Sequence, residues 1–221
     1  MNTLLLRISG PMQSWGVQSH FSIRDTGLEP SKSGVVGLVC ASMGVSRDDD
    51  QALARLSALQ MGVRVDQEGH MSRDYHTALK VIKAGGGFKE TDPSTRYYLA
   101  DAAFLVGLQG EDLDLLESIH AALKKPVWPL FLGRKAFVPG VQVYLPDGLK
   151  PGTGLYAALQ EYSYLGRESL PIRVRLVLED PQGYLVRQDQ PVSFRMGARQ
   201  FIPRRVHNTA ILLMAASQEV P

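Results

Sequence analysis

Apolar positions along the chain follow two periods, and the two take turns. Thr3–Ser9 (TLLLRIS) is a short apolar run closed by Gly10-Pro11, which predicts a buried first strand. Gly34–Val45 switches to helical spacing through Val35, Leu38, Val39 and Ser42. Ser31 or Ser33 stands where a side-chain oxygen accepts the first free amides of that helix. Gly34 and Gly37 weaken it by roughly 1 kcal/mol each relative to alanine, so close approach by the sheet or by a ligand backbone is their expected use. Asp48–Leu59 predicts a second short helix, and Met61–Val65 a strand that can extend toward Gly69.

Arg73–Ile82 alternates weakly and predicts a strand. Lys83–Thr95 (KAGGGFKETDPST), with three glycines in a row and no apolar period, reads as the mobile tip of a long hairpin. Arg96–Leu108 returns as an apolar strand. Glu111–Lys124 is an amphipathic helix, acidic early and basic late, with Leu113, Leu116, Ile119 or His120, and Leu123 on one face. Val127–Leu132 is the fourth core strand expected. The order strand, helix, strand, strand, helix, strand predicts an α+β fold with a ferredoxin-like or RRM-like (βαββαβ) core over residues 1–140, and a protruding hairpin at about 73–108. Residues 141–221 read as a β-rich C-terminal extension. In it Pro146–Gly154 is a linker, Tyr156–Tyr164 is ambiguous, and Ile172–Glu179 and Tyr184–Asp189 form a hairpin through Asp180-Pro181-Gln182-Gly183. Ala210–Ala215 is a final strand. Gln13–Pro30 has no period, and so long a loop in a compact domain is more often functional than idle.

Composition narrows the class. A chain of 221 residues that is 44% hydrophobic can build a sizeable core without staples. Its single cysteine, Cys40, excludes an intramolecular disulfide and fits a reducing compartment. Met1–Ile8 has no basic region ahead of its apolar run, and no apolar run approaches the ~20 residues of a membrane helix, so a soluble cytoplasmic protein is expected. Net charge is only +2, but basic residues gather in Arg73–Lys89, Arg134–Lys135 and Arg195–Arg205. Such segregation can present a basic face to a phosphate backbone, or be a set of solvated side chains.

No phosphate loop, paired-cysteine zinc motif, His-Glu-x-x-His or Gly-x-Ser-x-Gly is present. The acidic run Asp48–Asp50 reads as a helix cap rather than a metal site. No metal and no cofactor are expected. Four segments, however, resemble one family in order. Gly10-Pro11-Met12-Gln13-Ser14-Trp15-Gly16 is similar to its G-P-M-Q-x-W-G signature, and Pro30-Ser31-Lys32-Ser33-Gly34-Val35-Val36-Gly37-Leu38 to its helix start. Arg73-Asp74-Tyr75-His76-Thr77 matches an R-D-Y-H-T segment, and Phe131-Leu132-Gly133-Arg134-Lys135 resembles an L-G-R-[RK] loop. The family is CasD, the RRM-like subunit of type I-E CRISPR Cascade; the resemblance covers about the first 135 residues.

The resemblance implies a non-catalytic subunit that holds the 5′ handle of the guide RNA (crRNA). It would touch the Cascade large subunit and backbone subunits, and meet target DNA through the complex. It places RNA contacts at Met12, Gln13, Trp15, Arg24, Lys32, Ser33, Arg73, Tyr75, His76, Lys80, Arg134 and Lys135. The residue chemistry suits this. Lys32, Ser33 and the glycines stand at a helix N-terminus, where free amides attract phosphate, or else form an ordinary capped core helix. Trp15 and Tyr75 can stack on splayed bases, although packing against the sheet is the commoner fate of such a tryptophan. The alternative is a metal-independent endoribonuclease, as in type I-C relatives, drawing on His20, Tyr75, His76 and Lys80. The expectation is no catalysis.

Overall fold

In the computed structural model, which describes residues 1–17, 22–83, 85–167, 169 and 171–213, Leu4, Leu5 and Leu6 are all fully buried. Successive residues of a strand point to opposite faces, so three buried leucines in a row require a sheet covered on both sides. They lie in β1 (Asn2–Ser9). The chain continues through β2 (Met12–Gln13), β3 (Ile23–Arg24), α1 (Lys32–Met43), α2 (Asp50–Ser57), β4 (Gln60–Gln67), β5 (His70–Ile82) and β6 (Phe88–Ala100). Then come β7 (Ala103–Gly110), α3 (Leu113–Lys124), β8 (Leu149–Lys150), α4 (Leu155–Glu161), β9 (Arg173–Glu179), β10 (Leu185–Ser193) and β11 (Gln200–Leu212). The fold is mixed α/β, with four helices and two sheets among the described residues.

The larger sheet has seven strands in the order β10-β11-β9-β4-β7-β1-β8. β7 runs antiparallel to β1 and to β4, and β8 antiparallel to β1. One face packs Leu4, Leu6, Ile8, Phe104 and Val106 against Val35, Val39, Leu116 and Ile119 of α1 and α3. The other packs Leu5, Leu105 and Leu176 against Leu155 and Leu159 of α4. Full burial of each such side chain contributes about 1.5–3 kcal/mol. The caps of the helices are as the residues dictate: Ser31 accepts from the Gly34 amide, Asp49 from Ala52 and Asp112 from Leu115. Among the described residues no helix is long and apolar enough to cross a membrane.

The smaller sheet is the hairpin and its base. β5 and β6 pair antiparallel from His70↔Ala100 to Ile82↔Phe88, so each arm is 13 residues, about 40 Å. At the base, the other edge of β6 takes β2 antiparallel and β3 parallel. The outer arms are exposed at nearly every position.

Several expectations are corrected. The single strand expected at 96–108 is two strands in two sheets, broken at Asp101, whose φ of 56° turns the chain between β6 and β7. Gly69 makes the matching turn from β4 into β5 at a φ of 70°, and a Cβ there would collide with the Ala100 carbonyl oxygen. The hairpin therefore spans 70–100 rather than 73–108, and Phe88–Thr95 is strand, leaving only the short glycine turn as tip. Val127–Leu132 is not a strand. Its Val127 and Trp128 amides bond the Ser42 and Ala41 carbonyls at the end of α1, and Leu132 closes a tight loop on Phe137. The place beside β1 goes to β8, inside the expected linker, and the ambiguous Tyr156–Tyr164 holds most of α4. The Asp180–Gly183 turn forms, but β9 and β10 do not pair with each other, because β11 lies between them. β11 starts at Gln200, ten residues before the strand expected at Ala210–Ala215, whose last two residues lie outside the described ones. β9 pairs with β4, so the C-terminal strands continue the larger sheet.

Candidate nucleic-acid interface

Directly opposed residues in a sheet share a face. Arg24 opposes Arg96, Arg96 opposes Asp74, and Ser94 opposes His76, so one face at the base of the hairpin carries Arg24, Arg96, Asp74 and His76. Arg134 joins them from the loop after Leu132. Its Nη2 donates to the Tyr97 carbonyl at 2.9 Å and to the Arg24 carbonyl at 3.3 Å, and its guanidinium lies 5.3 Å from the Phe137 ring centre. Burial pulls the Arg134 pKa below the usual arginine value, with Arg96 and Arg24 adding to the fall while Asp74 and Asp25 oppose it. Three guanidiniums with partial acidic compensation make a site where an anion relieves like-charge repulsion.

Gly133 is what brings Arg134 there. Its φ is 87°, and a Cβ would overlap the Ser14 carbonyl, so only glycine lets this loop pass under the G-P-M-Q segment. Hydrogen bonds from Ser14 N to Leu132 O (3.0 Å) and from Phe137 N to Arg134 O (2.8 Å) hold the loop in place. Lys135 follows, exposed. The remaining hairpin residues are placed differently. Arg73 and Tyr75, the latter 72% exposed, alternate onto the face opposite His76. Lys80 is exposed and lies farther toward the tip, at a φ of 51°. His76 Nδ1 is 3.9 Å from Asp74 Oδ2.

Three expected contacts are instead built into the fold, and Met12 is half-buried against the core. Gln13 is fully buried: Nε2 donates to the Ala102 carbonyl at 2.7 Å and Oε1 accepts from Trp15 Nε1 at 3.2 Å. Trp15 is 2% exposed and lies against Gly34, where a Cβ would come within 2.9 Å of the ring, so no base reaches it in this conformation. Lys32 is 1% exposed, and its Nζ donates to both Glu179 oxygens at 2.8 and 2.9 Å. Burial lowers its pKa even though Glu179 raises it. The expected phosphate place at the start of α1 is also filled, because the Lys32 amide donates to Asp189 Oδ2 at 2.8 Å. Arg204 pairs with the same Asp189, Nε to Oδ1 at 2.7 Å. Ser33 is half-buried, its Oγ 3.4 Å from that of Ser31. His20 lies outside the described residues. Arg96 was missed by sequence reasoning because it heads a run read as core strand; a lone arginine ahead of Tyr97-Tyr98 was the available signal. Among the described residues no group of three or more His, Cys, Asp or Glu is placed to hold a metal.

The arrangement thus defines a mixed α/β protein with a basic face at the root of a long solvated hairpin. Residues 3–207 match the model of the family described as CRISPR-associated protein (Cas_Cas5), and the chain belongs to that family. It is 37% identical over 146 residues to the "CRISPR system Cascade subunit CasD" of Escherichia coli (strain K12), an alignment covering 60% of this chain and 65% of that protein's length. A solved structure described as "Crystal structure of Cas protein" shares 42% identity at a TM-score of 0.76, covering 95% of each chain. A chain of a "CRISPR RNA-guided surveillance complex" shares 32% identity at a TM-score of 0.76, covering 96% of this chain and 90% of its own.

Proposed function

We propose that this chain is a non-catalytic crRNA-binding subunit of a type I-E Cascade complex, holding the 5′ handle of the guide and contacting the large and backbone subunits so that the complex can engage target DNA. The observation that carries the reading is the convergence of Arg24, Arg96 and Arg134 from three separate segments at the hairpin base. A single-stranded handle offers phosphates to such a cluster and base edges to the neighbouring backbone. The names of the relatives at 37% and 32% identity support the same reading. The antiparallel run β4-β7-β1-β8, with α1 and α3 on one face, is consistent with a ferredoxin-like βαββαβ unit. In this reading residues 1–140 carry the RNA grip, and 141–221 brace it and lend β8 as the fourth strand. A cytoplasmic location follows from the guide it binds.

The endoribonuclease alternative draws on His76 beside the arginines. Tyr75 is on the other face and Lys80 farther along the arm, so neither supplies the second proton-transfer group that cleavage needs. The test is incubation of the full chain with labelled cognate repeat RNA in chelator, read on one gel for binding and cutting. Handle-selective retention without cutting is expected. Specific cutting that a His76→Ala variant abolishes would make the chain a guide-processing nuclease instead.

A further inference from the structure

Gly37 stands in the middle of α1, where glycine weakens a helix, yet nothing among the described residues requires it. Among the described residues a Cβ there would meet only the Phe194 ring, at an ordinary 3.9 Å, in contrast to Gly34 and its contact with Trp15. Gly37 lines a groove of about 410 Å³ formed with the loop that carries Trp128 and Phe131 and with Phe194 from the β10–β11 connection. Trp128 is 46% exposed there. Arg47 and Arg199 line the same groove, both exposed. Neither guanidinium has a hydrogen-bond or ion-pair partner among the described residues, whereas nearby Arg195 is paired with Asp50 at 3.0 Å. Ser33 and Gly133 also border the groove, so it adjoins Arg134 and the basic face.

We infer that this groove holds one unstacked nucleotide of the bound RNA, its base over Gly37 against Trp128 and Phe194 and its phosphate on Arg47 or Arg199. The inference rests on the reading of the chain as an RNA binder and gives that reading a base-stacking element beside the arginine face. Each feature has a use in it. Bare backbone at Gly37 admits a flat ring, aromatic walls offer stacking surface, and unpaired cations meet the phosphate. An acidic peptide would use the cations but would not call for a bare glycine floor facing aromatic rings.

The experiment uses cognate repeat RNA carrying the fluorescent adenine analogue 2-aminopurine at each handle position in turn. The full chain is compared with Gly37→Leu, Trp128→Ala and Arg47→Gln/Arg199→Gln variants. Leucine favours a helix more than glycine does, so Gly37→Leu fills the groove without endangering α1, and thermal melts confirm folding. Quenching at one position is expected, lost in Gly37→Leu and Trp128→Ala, with affinity falling roughly 5- to 150-fold, the range for loss of one stacked base. If Gly37→Leu binds as tightly with the same quenching pattern, the inference is overturned while the arginine-face reading stands. If it binds RNA normally but no longer associates with the other Cascade subunits, the occupant is a protein segment and the inference is equally overturned. A wild-type chain that fails to bind the repeat at all would remove the RNA-binding reading itself.

Discussion

Arg24 and Arg96 oppose each other across the β3–β6 pair, and neither makes an ion pair among the described residues. Among the described residues Arg96 makes one side-chain hydrogen bond, Nε to Ser94 Oγ at 3.1 Å, and Arg24 is exposed. Replacing both with glutamine therefore removes charge without opening the core. Each lost phosphate contact on a single strand lowers the slope of log K against log salt by about 0.7, so the double variant should flatten it by about 1.4. Between about 50 and 200 mM salt the wild type would then lose about sevenfold more affinity than the variant. The assay is fluorescence anisotropy of labelled handle RNA over that range, with Asp74→Asn as a control of opposite sign. Removing this acid beside the arginines should tighten binding at low salt. An unchanged slope in the double variant would refute the assignment of these arginines to phosphate.

Other consequences follow from the same geometry. Gly133→Ala must place a side chain at a φ of 87° against the Ser14 carbonyl, costing about 1–3 kcal/mol for the backbone alone; a melt lowered by less than about 2 °C would contradict it. Lys32→Met takes the closest cation from the Glu179 carboxylate, leaving it Arg204 at 3.7 Å and the Met61 amide at 3.1 Å, and should destabilise by about 3 kcal/mol, largely recovered in Lys32→Met/Glu179→Gln; RNA affinity per folded molecule should not change, and a specific loss would return Lys32 to the interface. The Tyr162 phenol is pushed up to about 12, by burial and by its 2.7 Å bond to Asp147, whose carboxyl is held low by the same bond. Its contribution is thus complete below pH ~10 and lost as pH rises through about 12, and that of Asp147 is lost as pH falls through its lowered value. Ultraviolet titration should show a late tyrosine that a Tyr162→Phe variant removes.

The local elements were legible because their causes are local. Apolar period and a cap define α1 and α3, and three glycines locate the tip between β5 and β6. What failed to show was long-range. Arg96–Leu108 reads as one strand because buried apolar residues stand on both sides of the Asp101 turn, in different sheets. β8 has only two residues, and β11 separates β9 from β10 through pairings the turn chemistry does not announce. The site divides the same way. Arg24 and Arg134 were visible as basic residues in loops, whereas Arg96 was hidden in an apolar strand. Lys32 looked free because its carboxylate partners Glu179 and Asp189 lie 147 and 157 residues away.

The most direct test of the central claim is photo-crosslinking from 4-thiouridine placed in the 5′ handle, with the attached peptides mapped by mass spectrometry. The account predicts attachment within β3, the Ser94–Tyr97 stretch of β6 and the loop carrying Arg134. Crosslinks confined to other surfaces, or none to this chain from any handle position, would contradict it.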